Sequence, residues 1–109
     1  MLSNQCRLTK KKDFERVFKQ GRGFKQGFLY LKFLKNNLGV SRFGFIVGKN
    51  FSKKAVERNK IKRRLREIIQ KRIGGIKQGL DIIIVVLPGA ENDFEALNKE
   101  IDRLFKKIK

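Results

Sequence analysis

The sequence lacks most of the groups that protein catalysts use. It contains no histidine and no tryptophan, a single cysteine, a single proline, and only 10 acidic residues among 109. The one thiol, Cys6, cannot form an internal disulfide, and without histidine or a second thiol there is no zinc-type ligand set. The carboxylates are scattered along the chain, so the sequence offers neither an evident general base nor a cluster of metal ligands. We therefore expect no catalytic residues, no metal site and no bound cofactor in this chain.

Long apolar runs are also missing. The longest, Ile82 to Leu87, is far too short to cross a bilayer, and the amino terminus carries no apolar stretch of signal-peptide length. These absences predict a cytoplasmic protein that does not contact a membrane. A chain of 109 residues has room for one hydrophobic core, so we expect one domain over residues 1–109.

Positive charge is what the sequence has in excess. Its 28 lysines and arginines outnumber the acids and give a formal net charge of +18. The excess is uneven, because residues 89–109 hold five acids and five bases, whereas residues 49–72 hold eleven bases and two acids. Such a concentration of unbalanced charge indicates a polyanionic partner.

The periodicity of the apolar residues predicts an α+β fold. The predicted elements, in chain order, are a helix over 9–20, a brief edge strand near Phe24, strands over 28–34 and 42–48, a helix from about 53, a buried strand over 82–87 and a helix from about 92. We expect three helices packed with one mixed sheet of about four strands, in the order α-β-β-β-α-β-α.

Residues at the ends of these elements favour particular caps and turns. Thr9, Ser52 and Asn92 are suited to cap the amino termini of the three helices, and Gly21 is suited to end the first. Residues 35–39 are rich in asparagine and glycine, which suits a hairpin loop. We therefore expect the strands on either side of that loop to pair antiparallel.

The second predicted helix combines an apolar stripe with a dense basic surface. The stripe consists of Val56, Ile61, Leu65, Ile68 and Ile69. The polar surface carries Arg58, Asn59, Lys60, Lys62, Arg63, Arg64 and Arg66. Basic side chains on one helix can neutralise phosphates, while an amide side chain fixes their register.

Aromatic residues form a second group of interest. Phe14 and Phe18 are neighbours on the first predicted helix, and Phe28 and Tyr30 are predicted to point to the same side of a strand. Most such rings belong to a core, but rings that line a cleft would offer faces on which unpaired RNA bases stack. Both interpretations stay open at this point.

The sequence resembles the protein subunit of bacterial ribonuclease P through almost its whole length. The resemblance is carried by Asp13-Phe14-Glu-Arg-Val-Phe18-Lys-Gln-Gly21, Arg42-Phe-Gly44-Phe-Ile-Val47, the segment from Ala55 to Glu67, and Asp81. Its most specific part is the Arg58-Asn59-Lys60 sequence that opens a basic helix between two strands.

The resemblance implies that a large RNA subunit, using magnesium ions, removes the 5′ leader of precursor tRNA, and that the small protein assists it. The basic helix residues named above would bind the catalytic RNA, with one protein expected per RNA. The leader would lie in a cleft between the first helix and the sheet. The floor of this cleft would be formed by Phe14, Phe18, Phe28 and Tyr30. Its edge would be formed by Arg42, Lys49 and Lys53. The resemblance also implies a left-handed β-α-β crossover, where general topology rules predict a right-handed one.

Two departures from the family pattern are evident, and two alternatives remain open. Residues 48–54 are one residue longer than usual, with Ser52 where glycine is common. Leu87 stands where arginine or lysine is frequent, so one RNA contact is either absent or supplied by a neighbour such as Lys77. The alternatives are a purely structural RNA-binding protein of a ribosome-like particle and a self-sufficient endonuclease, which the missing histidine argues against.

Overall fold

Three helices and four strands follow one another in the predicted order. The computed structural model describes residues 7–49, 51–72, 75, 78–88 and 93–107. The elements are α1 (Lys11–Gln20), β1 (Arg22–Gln26), β2 (Leu29–Lys35), β3 (Arg42–Val47), α2 (Ala55–Arg72), β4 (Leu80–Val86) and α3 (Phe94–Lys106). The prediction of an α+β fold with one mixed sheet and the order α-β-β-β-α-β-α is confirmed.

The sheet has the strand order β1-β2-β4-β3. β4 pairs antiparallel with β2 and parallel with β3, so it lies between the two strands that we expected to form a hairpin. That expectation is wrong, because β4 is apolar and buried along nearly its whole length and therefore takes the central position. The connection through α2 makes a parallel β-α-β unit, whose hand stays a prediction of the resemblance.

The loop between β2 and β3 has the positive φ angles that its sequence predicts, but it does not join two neighbouring strands. Asn37 and Gly39 adopt positive φ angles of 60° and 77°. The loop crosses the end of β4 instead of closing a hairpin, since the Asn36 N–H donates to the Gly79 carbonyl at 2.9 Å. Local turn chemistry was therefore predictable, whereas the strand partner was not.

Helices cover both faces of the sheet, and each face has its own apolar cluster. α2 and α3 lie over the larger cluster, which includes Leu31, Ile82 and Ile84. α1 lies over the smaller cluster, which is built on Ile83 and Val17. Alternate residues of β4 thus contribute to opposite faces, as strand geometry requires.

The predicted helix caps differ from the observed helix ends. α1 begins after Lys10, without a capping side chain, so Thr9 is not its cap. Ser52 accepts a hydrogen bond from the Lys54 N–H at 3.2 Å and stands before the helix that begins at Ala55. Asn92 lies outside the described residues, and Asp93 occupies the N-cap position of α3.

Gly21 ends α1 as predicted, and its lack of a side chain is required there. Its N–H donates to the Val17 carbonyl at 2.8 Å. A Cβ at this position would lie 2.5 Å from the Val17 carbonyl oxygen and 2.7 Å from that of Phe33. The chain therefore turns from helix to strand through a gap that only glycine fits.

The predicted apolar stripe of α2 is confirmed except at its first residue. Ile61, Leu65, Ile68 and Ile69 are buried, but Val56 is 66% exposed. Val56 precedes Ile61 by five residues, which places it about 140° around the helix axis. Val56 therefore belongs to the outer surface.

Within the described ranges, no helix combines the length and the apolar character needed to span a membrane.

Candidate nucleic-acid interface

The strand register aligns a row of partly exposed side chains on the face of the sheet that α1 covers. Tyr30 on β2 pairs with Val85 on β4, and Val85 pairs with Ile46 on β3. All three are half-buried, and Lys25 of β1 continues the row beside Tyr30. We call Tyr30, Val85 and Ile46 the floor row. Only Tyr30 was predicted, because the other two become its neighbours through pairings that the sequence did not reveal.

Two aromatic rings of α1 flank this region. Phe14 lies so close to β3 that a Cβ at Gly44 would be 2.5 Å from its Cζ atom. Phe18 is 38% exposed, and the Lys32 ammonium lies 5.6 Å from the centroid of its ring. Lys32 also donates a hydrogen bond to the Phe18 carbonyl. Phe18 thus offers an accessible ring beside a fixed positive charge, a combination suited to a stacked nucleotide.

Phe28 does not join this group. It packs against the cluster under α2 and α3, so the prediction that Phe28 and Tyr30 share a side is wrong. The reason is the turn before β2, where Gly27 has a φ angle of 58° and the alternation of side chains is interrupted. The structure therefore brings Phe14, Phe18 and Tyr30 to one face and leaves Phe28 on the other.

Arg42 is held inside an ion-pair network. Its guanidinium forms two hydrogen bonds with the fully buried carboxylate of Asp81, at 2.8 and 2.7 Å. Arg16 of α1 donates to the same carboxylate at 2.9 Å, and Asn36 does so at 2.8 Å. Asp13 accepts a further bond from Arg42 at 3.3 Å. The network ties α1 to the sheet.

The network shifts the ionisation of both central partners. Burial alone would raise the pKa of Asp81. Hydrogen bonds from Arg42, Asn36 and Arg16 lower the pKa by more than burial raises it, so it lies below its ordinary value. The hydrogen bond to Asp81 raises the pKa of Arg42. Both groups therefore stay charged at neutral pH, and Arg42 anchors α1 while its side chain remains 19% exposed.

Lys49 and Lys53 do not lie beside Arg42. Both are exposed and belong to the connection that leaves the carboxyl end of β3. Arg42 lies at the amino end of β3, about 17 Å from the carboxyl end of the strand. The two lysines are instead next to the end at which Ile46 contributes to the floor row. Residue 50, part of the longer segment, lies outside the described residues.

Leu87 follows β4 at the same end of the sheet. It is half-buried, and its N–H donates to the Phe28 carbonyl at 2.8 Å. An apolar side chain here supplies no charge, and Lys77, the suggested replacement, lies outside the described residues.

The basic residues of α2 divide into an outer surface and an inner flank. The outer surface carries Asn59, Lys60 and Arg63, which are exposed. Arg58, Lys62 and Arg66 are half-buried and follow one another at intervals of four residues along the inner flank. Arg64 is also half-buried but lies about 160° around the helix axis from Arg66, outside that flank.

Contacts fix the two ends of the inner flank. Arg58 donates to the Ser52 carbonyl at 2.8 Å. The guanidinium of Arg66 lies 5.9 Å from the centroid of the Phe45 ring. Arg72, near the end of α2, is different, since it is bound to Asp102 at 2.8 Å and therefore braces α3.

The acidic residues that the structure describes do not form the ligand set of a metal centre. In the part of the chain that the structure describes, no three cysteine, aspartate or glutamate side chains are grouped to hold an ion. The buried carboxylate, Asp81, already accepts bonds from two arginines. The described residues therefore do not fit a magnesium ion held by the protein itself.

A mixed sheet with two partly accessible rings beside one another, Tyr30 on β2 and Phe18 on α1, and a strongly basic helix are features of small RNA-binding proteins with an α+β fold. The sequence model of the Ribonuclease P family matches residues 2–109. The chain belongs to the ribonuclease P protein family, the protein component of an RNA-containing endoribonuclease that processes tRNA.

Individual relatives agree in sequence and in fold. The ribonuclease P protein component of Thermotoga petrophila is 36% identical over 107 residues, which cover 94% of this chain and 91% of the relative. That of a Pseudanabaena species is 35% identical over 111 residues, or 100% and 96% of the two chains. The solved structure of the RNase P protein from Thermotoga maritima, in complex with 1-(4-fluorophenyl)-2-thiourea, has a TM-score of 0.86 at 33% identity and covers 94% and 100%. The solved structure of the Staphylococcus aureus RNase P protein has a TM-score of 0.85 at 27% identity, and the match covers 93% of each chain.

Proposed function

We propose that this protein binds the 5′ leader of precursor tRNA on the α1 face of its sheet while the catalytic RNA cleaves the leader off. The observation that carries the proposal is the half-open floor row of Tyr30, Val85 and Ile46 with the exposed ring of Phe18 beside it. Unpaired bases stack on such rings, whereas paired bases in a duplex cannot reach them. A single-stranded leader is the part of precursor tRNA with this property.

The basic helix α2 binds the catalytic RNA. Arg63 is exposed and forms no ion pair with a described carboxylate, so its charge is available to a phosphate. Arg58 and Arg66 are held in place by contacts with the Ser52 carbonyl and the Phe45 ring, which fixes part of the charge pattern before the RNA binds. Ordered charges of this kind bind a folded RNA with less loss of side-chain entropy.

The hydrolysis itself belongs to the RNA. The chain has no histidine, and its buried carboxylate is occupied by arginines, so the protein contributes binding and charge. Magnesium ions act through the catalytic RNA, and the protein lowers the magnesium concentration needed, because its cations neutralise phosphates that ions would otherwise screen. One protein acts per RNA, in the cytoplasm, where tRNA precursors are made.

Replacement of Phe18 by alanine tests the leader-binding proposal. We expect Phe18→Ala to weaken binding of leader-bearing precursor tRNA to the reconstituted holoenzyme by about 1–3 kcal/mol, and binding of mature tRNA much less. The measurement is the ratio of the two dissociation constants. Because Phe18 is 38% exposed, its loss should change the melting temperature little.

Phe94 provides a matched control. Its ring is also partly buried and also lies under a lysine, with the Lys71 ammonium 5.2 Å from the centroid, but on α3. Phe94→Ala should leave the ratio unchanged. Leader stacking on Phe18 would be ruled out if Phe18→Ala and Phe94→Ala changed this ratio of dissociation constants equally. It would also be ruled out if Phe18→Ala left the ratio at the value of the unmodified protein. Either result would favour a purely structural RNA-binding role.

A further inference from the structure

A small pocket lies at the outer edge of β3, which is an end strand of the sheet. The pocket has a volume of about 140 Å³, and its lining includes Arg7, Thr9, Phe14, Phe43, Phe45 and Arg66. It lies between the segment that precedes α1 and the inner flank of α2. Neither the floor row nor the outer surface of α2 is part of it.

The polar side chains around this pocket are positively charged or neutral. The Nε atom of Arg7 is buried and has no hydrogen-bond partner among the described residues. Arg66 lies against the Phe45 ring, and the pocket lining contains no carboxylate. A buried charged donor without an acceptor is costly, and native structures usually supply the acceptor from protein, water or ligand.

The backbone of β3 adds another donor. The Leu8 N–H donates to the Phe43 carbonyl at 2.9 Å, as part of an isolated bridge between Arg7 and Phe43. Since alternate residues of a strand direct their N–H and C=O groups to the same edge, the Phe45 N–H also points outward. It lies beyond the bridge and beside the pocket, so two guanidinium groups and a backbone amide border the same small space.

We propose that this pocket binds one phosphate group of the catalytic RNA. Arginine side chains present paired N–H donors that match the oxygens of a phosphate, and the backbone amide supplies one more. The position also fits, because Arg58, Lys62 and Arg66 succeed one another along the inner flank at intervals of about 6 Å. An RNA strand that follows this flank reaches the pocket at its end. The inference rests on the proposed binding of α2 to the catalytic RNA and extends that interface to Arg7 and the edge of β3.

The salt dependence of binding to the catalytic RNA, without precursor tRNA, tests the inference. Arg7→Gln should weaken binding and lower the slope of log affinity against log salt by about 0.7–0.9, the value for one lost phosphate contact. Arg66→Gln should do the same. The double variant should lose less binding free energy than the sum of the losses of the two single variants, because both side chains hold the same phosphate.

Two further variants separate the pocket from general charge effects. Arg103→Gln removes the same charge from a side chain that is 58% exposed on α3 and should leave the slope unchanged. Arg7→Lys keeps the charge but loses the paired donors, so it should weaken binding with little change in slope. If Arg7→Gln does not fold, as shown by its melting temperature, Arg66→Gln carries the test.

Inorganic phosphate distinguishes the RNA from a free anion. In NMR titrations, phosphate should shift the Phe45 amide and Arg7 Nε–H signals of the unmodified protein. If it shifts these signals while both glutamine variants keep the full RNA slope, the pocket takes a free anion and the assignment to RNA is wrong. Unchanged slopes in a protein that otherwise binds the RNA tightly overturn this inference alone. Absence of salt-dependent RNA binding by the unmodified protein would overturn the proposed function as well.

Discussion

Replacing Asp81 by asparagine removes the negative charge at the centre of the network that ties α1 to the sheet. The Asp81 side chain is fully buried, that of Arg42 is 19% exposed and that of Arg16 is 43% exposed. Breaking a buried pair by removing one partner typically costs 3–5 kcal/mol, because the remaining charge loses its compensation. Water can reach part of both arginines, which favours the lower end of that range. We expect Asp81→Asn to lower the free energy of unfolding by about 3 kcal/mol at neutral pH.

The pH dependence of this difference gives a second check on the same prediction. The pKa of Asp81 in the folded protein lies below its ordinary value of 3.8. The carboxylate therefore stabilises the fold fully above that value, and its contribution is lost as the pH falls through the folded pKa. The difference between the unmodified protein and Asp81→Asn should be constant near neutral pH and should shrink below pH 3.8.

Urea unfolding followed by far-UV circular dichroism, repeated from neutral to acidic pH at constant ionic strength, measures both effects. Asp102→Asn is the control, since Asp102 is 43% exposed in its pair with Arg72 and should matter far less. Equal unfolding midpoints for Asp81→Asn and the unmodified protein at neutral pH would refute the reasoning. So would a difference that does not change with acidification.

Two further predictions concern packing and RNA binding. Gly44→Ala should destabilise the fold by about 1–3 kcal/mol, because its Cβ would lie 2.5 Å from the Phe14 ring; thermal unfolding measures this, and Phe14→Leu in the same chain should restore part of the loss. Full stability of Gly44→Ala would contradict the contact. Arg63→Ala should lower the salt slope for catalytic-RNA binding by about 0.7–0.9 without changing the melting temperature, whereas Arg58→Ala should also lower the melting temperature, because its bond to the Ser52 carbonyl is lost. An unchanged slope for Arg63→Ala would place Arg63 outside the interface.

Local features of the fold could be predicted from the sequence because they depend on residues close together in the chain. The positive φ angles of Asn37 and Gly39, the end of α1 at Gly21 and the buried strand β4 are of this kind. The partner of β2 is not, since β4 enters the sheet between two strands that are adjacent in sequence. Its apolar composition indicated a central strand, but nothing local indicated which neighbours it would have.

The candidate site shows the same division. The basic residues of α2 and the rings of Phe14 and Phe18 could be found from periodicity. Val85 and Ile46 could not, because they join Tyr30 only through the sheet register. Arg42 was predicted to line the cleft edge, yet its position opposite Asp81 in the parallel pairing of β3 and β4 commits it to an ion pair. A single charged residue does not reveal its partner when that partner is distant in the sequence.

The measurement that tests the account most directly is cleavage of precursor tRNA by the protein alone, by the catalytic RNA alone and by the two together, at low and high magnesium. We expect no cleavage by the protein alone. The catalytic RNA should cleave at high magnesium, and the complex should cleave at low magnesium with tighter binding of leader-bearing substrate. If the protein changes neither the magnesium requirement nor the substrate affinity, or if it cleaves the precursor without the RNA, the account is contradicted.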